Sequence, residues 1–229
     1  TVYAGAFFAR DIMLHSMNYY LDLTLLKNTF LFWLVLCHFA LTTTAQIRLG
    51  AEDTASYLSE LKGKKIGVVA HQASLIFSSG NQKHLVDFLL EHTIKIKGVF
   101  APEHGFRGVA DAGEKIEDGK DPLTQLSIYS LYGKNRKPSP DQLEGIELMI
   151  FDLQDVGVRF FTYLSTLHYV LEACAEQNIP VILLDRPNPN SHYVDGPVLN
   201  LENSSFVGMH PVPIVYGMTI GEYAKMING

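Results

Sequence analysis

The chain has little cysteine, and this scarcity argues against a small fold held together by disulfides. Of its 229 residues only Cys37 and Cys174 are cysteines. Cys37 lies in an apolar N-terminal segment that we expect to be removed, so Cys174 would have no partner for an intrachain disulfide. Cys174 stands between alanines in a predicted helix, where a buried structural thiol is expected rather than a nucleophile. The chain must therefore be stabilised by its hydrophobic core.

Basic charge is also scarce. The chain has 18 Lys and Arg against 24 Asp and Glu, which gives a formal net charge of −6. Proteins that bind nucleic acids usually present a basic face, so we expect no nucleic-acid partner. Residues 134–137, Lys-Asn-Arg-Lys, form a basic cluster between Gly133 and Pro138. Flanking Gly and Pro are loop signals, and the cluster is predicted to be a solvated loop.

Sequence patterns for cofactors and metals are missing. No Gly-x-Gly-x-x-Gly follows the first predicted strand, so a dinucleotide cofactor is not expected. The histidines show no His-x-x-x-His spacing, and no Cys-x-x-Cys is present. We therefore predict no cofactor and no metal. A metal-dependent hydrolase is kept as an alternative, with these possible ligands: Asp152, Asp155, His104 and His210.

Long apolar runs are absent as well. Residues 30–41 are mostly apolar, but 12 residues are too few to span a bilayer comfortably. Small residues suited to cleavage follow at Thr43-Thr44-Ala45, and Met17 could be the true start. This pattern predicts that residues 1–45 are an upstream segment and a signal peptide, with a membrane anchor as the alternative. We thus expect export to the periplasm or medium, with no stable membrane span after cleavage.

From residue 46 onward, apolar strand patterns alternate with helical ones. Strands are predicted at residues 65–70, 94–100, 127–131, 147–152 and 180–184. Helices are predicted at residues 54–61, 83–91, 140–143, 162–177 and 219–227. The alternation indicates βαβ units and a parallel sheet, an α/β fold. Residues 74–81 are predicted to be a loop. Residues 103–125 form a long Gly- and Asp-rich stretch without a regular element, and loops of that length are often functional.

Polar side chains follow three of the predicted strands. Residues 103–107, Glu-His-Gly-Phe-Arg, come after the second strand. Asp152, Gln154 and Asp155 end the fourth strand, and residues 185–188, Asp-Arg-Pro-Asn, end the fifth. Ligands of open α/β sheets bind at the carboxyl ends of the strands. One shared polar site is therefore the first hypothesis.

Glu103 is the best candidate for chemistry at this site. A carboxylic acid beside the apolar Phe100 and Phe106 is suited to general acid catalysis. The alternative is a salt bridge to Arg107 that only shapes the loop. His104 could orient Glu103, bind a substrate hydroxyl, or bond a backbone carbonyl.

The other strand ends offer several roles. Asp152 and Asp155 could hold sugar hydroxyls, activate a water or bind a metal, and capping of a helix by Asp155 is an equal alternative. Arg159 suits an anionic group, with an ion pair to one of these acids as the alternative. Pro187 and Pro189 restrict their neighbours and pre-place the side chains around them, although a purely structural turn is also possible.

Six motifs together resemble one family, the NamZ-type exo-β-N-acetylmuramidases, over residues 61–229. In chain order they are Pro102-Glu-His-Gly105, Asp111-Ala-Gly-Glu114, Tyr129-Ser-Leu-Tyr-Gly133, Phe151-Asp-Leu-Gln-Asp-Val-Gly-Val-Arg-Phe-Phe-Thr-Tyr163, Asp185-Arg-Pro-Asn-Pro189 and Gly217-Met-Thr-Ile-Gly-Glu222. The resemblance implies a glycosidase that releases N-acetylmuramic acid from the non-reducing ends of peptidoglycan fragments. It also implies a Rossmann-like, doubly wound, mainly parallel sheet with helices on both faces. Residues 46–229 would then be the Rossmann-like catalytic domain, and the family's C-terminal domain would be missing.

The resemblance places the family's catalytic Glu on Glu103. Its partner carboxylate is open among Asp152, Asp155, Glu114 and Glu222. The expected catalytic residues are Glu103, Asp152 and Asp155. The expected substrate-binding residues are His104, Arg107, Glu114, Gln154, Arg159, Tyr163, Asp185, Arg186 and Asn188.

Our own inference is that Arg159 or Arg186 meets the lactyl carboxylate of the substrate. A non-catalytic module that binds muropeptide sugars is a further alternative. The oligomeric state is left open.

Overall fold

The computed structural model describes residues 22–35, 47–78, 81–108 and 118–229. The chain divides into two units, residues 1–46 and 47–229. In the first unit, residues 22–35 form helix α1, whose large apolar side chains are exposed. None of the described helices is long and apolar enough to cross a membrane. Met17 and the expected cleavage segment at 43–45 lie outside the described residues, so the signal peptide stays a prediction.

The second unit is built on strands β1 (Lys65–Ala70), β2 (Leu75–Ser78), β3 (Asn81–His84), β4 (Lys95–Ala101), β5 (Gly119–Lys120), β6 (Ser127–Ser130), β7 (Leu148–Asp152) and β8 (Val181–Leu183). Six of them form one sheet in the order β5-β6-β4-β1-β7-β8. All neighbours in this sheet are parallel except β5, which runs antiparallel to β6. The predicted parallel sheet is confirmed.

Five helices accompany these strands in the described part of the second unit: α2 (Thr54–Leu61), α3 (Leu85–Glu91), α4 (Pro140–Leu143), α5 (Tyr163–Glu176) and α6 (Ile220–Asn228). Two short 3-10 helices lie at Gly50–Glu52 and Leu201–Asn203. The start of α6 is a capping box, because Thr219 Oγ1 accepts the Glu222 N–H and the Glu222 carboxylate accepts the Thr219 N–H. This start was predicted from the same two residues.

The central strands of the sheet are buried on both faces. Successive side chains of a strand point to opposite faces, and β1 shows the result. Ile66 and Val68 pack with α2 and α3 in one core cluster, whereas Val69 packs with α5 in the other. Burial on both faces is typical of parallel sheets covered by helices. The α/β, Rossmann-like, doubly wound architecture is confirmed.

The strand order creates a switch point. From the central strand β1 the chain moves outward through β4 to β6, and then returns to the other side of β1 for β7 and β8. In open α/β sheets the crevice for a ligand lies at the carboxyl ends of the strands where the order reverses. Here that crevice lies beyond β1, β4 and β7. Glu103 and Asp155 follow two of these strands.

Three local predictions were wrong. Residues 74–81 were predicted to be a loop, but Leu75–Ser78 form β2, which pairs antiparallel with β3 and places Leu75 opposite His84. The helix predicted from residue 83 begins at Leu85, since His84 has extended backbone and its ring accepts the Val86 N–H. A histidine that caps the helix thus ends the hairpin. The two-residue strand β5 also lies inside the stretch predicted to lack regular elements.

Candidate active site

Glu103 lies in a tight turn directly after β4. The Gly105 N–H donates to the Pro102 carbonyl at 3.0 Å, which closes the turn. Both His104 and Gly105 have left-handed backbone, with φ of 72° and 79°. This conformation is uncommon for a residue other than glycine and often marks a functional site. The turn leaves the Glu103 and His104 side chains partly exposed at the carboxyl end of the sheet.

Two hydroxyl groups hold the Glu103 carboxyl. Thr162 Oγ1 donates to Glu103 Oε2 at 2.9 Å, and the Tyr132 hydroxyl also bonds to this carboxyl. Desolvation and then the bond to Glu103 raise the pKa of Tyr132, which keeps its hydroxyl protonated and able to donate. Tyr132 follows β6, the sheet neighbour of β4, and Thr162 precedes α5. Sequence reasoning assigned a site role to neither residue.

Tyr163 connects the two strand ends that carry carboxyl groups. Its hydroxyl donates to the Glu103 carbonyl at 3.5 Å, and its ring packs edge-on against His71 with centroids 5.1 Å apart. Burial raises the pKa of Tyr163, and the charges of Glu103 and Asp155 raise it further. The Tyr163 hydroxyl thus lies within electrostatic range of Glu103, which follows β4, and of Asp155, which follows β7. The structure thus brings residues that follow β4 and β7 close to one tyrosine.

Asp155 is almost completely buried. Its Oδ2 accepts the Gly157 N–H at 2.8 Å and the Tyr216 hydroxyl. Its Oδ1 has no hydrogen-bond partner among the described residues. Burial raises the pKa of Asp155. The bond to Gly157 closes a turn inside the loop after β7, so Asp155 does not cap a helix.

Asp152 is fully buried and bound by Arg186. Arg186 Nε lies 2.5 Å from Asp152 Oδ1, and Nη2 lies 2.9 Å from Oδ2. The same Nη2 donates to the Leu75 carbonyl at 3.0 Å. Burial raises the pKa of Asp152, while the guanidinium opposes this effect. Both side chains are therefore used to tie β7 to β2 and to the loop after β8.

His71 and Ser74 lie next to this pair. Ser74 Oγ accepts the His71 N–H at 3.0 Å and donates to the Asp152 carbonyl at 2.5 Å. Burial and the nearby charge of Arg186 lower the pKa of His71 to about 4, so the imidazole is neutral at neutral pH. The sequence placed His71 at a strand end, but nothing in it indicated this packing.

Asp185 anchors the start of α6. Its Oδ1 accepts the N–H of Arg186 at 3.0 Å and of Gly221 at 2.8 Å, and its Oδ2 accepts Thr219 Oγ1 at 2.7 Å. A Cβ atom on Gly221 would lie 2.6 Å from Asp185 Cγ, so glycine is required for this approach. Asp185 therefore has a structural role in the loop.

Asn188 and Gln154 join the loops after β7 and β8. Asn188 Nδ2 donates to the Met218 carbonyl at 2.8 Å, and its Oδ1 accepts the Asn190 N–H at 2.7 Å. Gln154 Nε2 donates to the Asp155 carbonyl at 2.7 Å and to the Pro187 carbonyl at 2.9 Å. These amides thus hold the loops in place by bonding to backbone carbonyls.

Two expected substrate-binding arginines bond within the protein. Arg107 forms paired hydrogen bonds to Asp87 and Asp121 at 2.9–3.1 Å, so the considered salt bridge to Glu103 is replaced by these two. Arg159 Nη1 donates to two backbone carbonyls, those of Pro197 and Val212, each at 2.6 Å. The considered ion pair of Arg159 with Asp152 or Asp155 is not formed.

Two other carboxylates were predicted as possible partners of Glu103. The Glu222 carboxylate caps α6, and its side chain is exposed. Glu114 lies outside the described residues.

The four ligands of the metal alternative do not form one cluster. Asp152 is bound by Arg186, and the His210 ring bonds to Tyr223 at 2.9 Å and to His168 at 3.1 Å. Across the parts of the chain that the structure describes, no three His, Cys, Asp or Glu side chains are grouped to hold a metal ion.

The architecture and the site define a Rossmann-like α/β protein in which carboxyl groups follow β4 and β7, the two strands on either side of β1. Residues 66–229 match the family described as "Exo-beta-N-acetylmuramidase NamZ, N-terminal", and the chain belongs to this family. The resemblance inferred from the six motifs is confirmed.

The similar proteins agree with this assignment. The chain is 45% identical over 174 residues to the peptidoglycan beta-N-acetylmuramidase NamZ of Bacillus subtilis (strain 168), covering 75% of this chain and 41% of that protein. Two crystal structures of DUF1343 family proteins from Bacteroides fragilis NCTC 9343 superpose with a TM-score of 0.70 each, at 41% and 36% identity. Each match covers 81% of this chain and 47% of the relative. The chain thus spans less than half the length of these relatives.

Proposed function

We propose that this protein is a glycoside hydrolase that releases N-acetylmuramic acid from the non-reducing ends of peptidoglycan fragments. Family membership and the 45% identity to a peptidoglycan beta-N-acetylmuramidase support the substrate class. The geometric observation that supports the chemistry is the Glu103 carboxyl, held by Thr162 and Tyr132 at the switch point of the sheet.

Glu103 acts as the general acid in this proposal. Hydrolysis of a glycoside needs a carboxylic acid that protonates the leaving oxygen. Glu103 is partly exposed at the crevice, so a glycosidic oxygen can reach it. Asp152 is completely buried and has both oxygens bound to Arg186, so it cannot meet a sugar. We assign Asp152 a positioning role instead.

Asp155 is the second carboxyl group of the proposed site. It is 4% exposed and acts on the site through its charge and through Tyr163, which lies near both acids. We propose that His104 and Tyr163 contact the sugar beside Glu103. The remaining expected residues shape the crevice through their internal bonds: Arg107, Gln154, Arg159, Asp185, Arg186 and Asn188.

The test is hydrolysis of a chromogenic β-N-acetylmuramide beside the matching β-N-acetylglucosaminide. The full-length Bacillus subtilis relative serves as positive control. We expect this chain to cleave the muramide and Glu103→Gln to lose turnover while keeping its circular dichroism spectrum. Glu91→Gln is the matched control, because Glu91 is exposed and bonds only to Lys83 among the described residues.

Three outcomes would count against this assignment. Full turnover by Glu103→Gln would remove Glu103 from the chemistry. Loss of activity on chelation, restored by a divalent metal, would favour a metal-dependent hydrolase. Calorimetric binding of N-acetylmuramic acid without product formation would favour a sugar-binding module.

A further inference from the structure

We propose that Arg136 binds the lactyl carboxylate of the muramic acid substrate and so determines specificity for muramides over glucosaminides. The inference rests on the proposed function, since it names the residue that binds the lactyl carboxylate, and this group is present in muramides but not in glucosaminides. The sequence pattern indicated a solvated loop for Arg136 and assigned the carboxylate to Arg159 or Arg186.

Neither of those arginines is well placed for the task. Arg186 is 5% exposed and its guanidinium is bound to Asp152 and to the Leu75 carbonyl. Arg159 uses Nη1 to hold two backbone carbonyls. A substrate carboxylate would have to displace bonds that stabilise the loops around the site.

Arg136 is exposed, and its guanidinium lies over an aromatic ring that belongs to a stack. Its Cζ lies 4.4 Å from the centroid of the Phe206 ring. Phe206 is itself buried and stacks on Tyr169, with centroids 6.2 Å apart and an angle of 15° between the planes. A guanidinium over an aromatic face is attracted to the ring and keeps the donors at its edge free to bond a ligand.

The stack lies beside the proposed general acid. Tyr132, whose hydroxyl bonds to Glu103, has its ring centroid 6.4 Å from that of Phe206. The positive charge of Arg136 also acts on the Tyr132 hydroxyl, opposing the effects of burial and of Glu103 on its pKa. One tyrosine thus lies close to both the acid and the guanidinium. A sugar bound at Glu103 would place its substituents within reach of Arg136.

The charge of Arg136 has no acidic partner among the described residues. Arg48, Arg107 and Arg186 each form a salt bridge with an aspartate. N-acetylmuramic acid differs from N-acetylglucosamine by a lactyl ether that carries a carboxylate. A planar guanidinium can bind a carboxylate through two parallel hydrogen bonds. Arg136 therefore supplies the charge and the geometry that this substituent requires.

The test compares the whole chain with Arg136→Met and with the matched control Lys134→Met from the same exposed loop. The substrates are a chromogenic β-N-acetylmuramide and its derivative with the lactyl carboxyl converted to an amide. We expect Arg136→Met to lower kcat/KM for the acid about fivefold, the upper range for an exposed ion pair with good geometry, and to leave the amide unaffected. Lys134→Met should change neither value, and Arg136→Lys should recover part of the preference.

An unchanged ratio of acid to amide hydrolysis in Arg136→Met would overturn the inference. Failure of the proposed function would give a different result, because the wild type would then cleave neither the muramide nor its amide derivative. In that case calorimetric titration with N-acetylmuramic acid and N-acetylglucosamine decides. A wild-type preference for the acid that disappears in Arg136→Met supports the role of Arg136. Equal affinities, or a preference that the variant retains, refute it.

Discussion

Thr162 Oγ1 donates a hydrogen bond to Glu103 Oε2 at 2.9 Å, although Thr162 stands at the N-cap position of helix α5. A threonine there commonly caps its own helix by accepting a backbone N–H. Here Thr162 has helical backbone, φ −72° and ψ −14°, and its side chain makes no capping bond. The hydroxyl thus serves a carboxyl group from another strand at the expense of its own helix, a departure expected at functional sites.

This bond predicts the behaviour of two variants at residue 162. Thr162→Val keeps the shape of the side chain but removes the donor, so the Glu103 carboxyl loses one of the two hydroxyls that hold it. A hydrogen bond to a carboxylate contributes about 1.5–3 kcal/mol, and we expect kcat to fall at least tenfold with little change in KM. Thr162→Ser should restore most of the rate. Steady-state kinetics on the muramide provide the measurement, and equal kcat for all three proteins would contradict the positioning role.

A second prediction concerns the buried pair of Asp152 and Arg186. Removing one partner of a buried ion pair leaves an uncompensated charge and costs about 3–5 kcal/mol. We therefore expect Arg186→Met to lower the free energy of unfolding by about that amount, measured by urea denaturation with circular dichroism. The double variant with Asp152→Asn should recover part of the loss, because it removes the unpaired charge.

The exposed pair of Lys83 and Glu91 is the control for this experiment. Its side chains are 44% and 55% exposed, and surface ion pairs contribute about 0–1 kcal/mol. Lys83→Met should therefore change the free energy of unfolding only slightly. If Lys83→Met and Arg186→Met lowered the free energy of unfolding by similar amounts, the buried pair would stabilise the fold no more than the exposed one.

The sequence predicted which strand ends carry the site residues better than it predicted the hydrogen bonds between their side chains. Strand patterns and their order place Glu103 and Asp155 at one edge, because the carboxyl ends of parallel strands lie together. The hydroxyls of Thr162 and Tyr132 were missed, since their role depends on side-chain directions across three different elements. No local pattern shows that a helix-starting threonine faces an acid from another strand.

The arginines show a further limit of sequence reasoning. Arg186 and Arg107 were expected to bind substrate, yet both are bound to aspartates of the same chain. The sequence shows the charge of an arginine but not whether an acid distant along the chain neutralises it. Arg136 shows the reverse, because its loop composition indicated simple solvation. Its position over Phe206 depends on a residue 70 positions further along the chain.

The third prediction follows from His71, whose pKa is lowered from 6.5 to about 4 by burial and then by the charge of Arg186. Above pH 6.5 the imidazole is neutral in the folded and unfolded chain, so its contribution to stability is fully present. As the pH falls from about 6.5 to about 4, the unfolded chain binds the proton first, and stability decreases by up to roughly 3 kcal/mol. Below pH 4 both states are protonated and no further loss arises from this residue.

Urea denaturation of wild type and His71→Asn at pH 7 and pH 4.5 measures this effect. Other acids titrate in the same range, and His84, whose pKa burial also lowers, bonds to the His71 carbonyl at 2.9 Å. The informative quantity is therefore the difference between the two proteins. We expect His71→Asn to lose clearly less stability than the wild type between the two pH values. His192→Asn, at an exposed position, is the control and should keep the wild-type slope. A difference between wild type and His71→Asn that does not depend on pH would mean that the buried imidazole binds its proton as readily as in the unfolded chain.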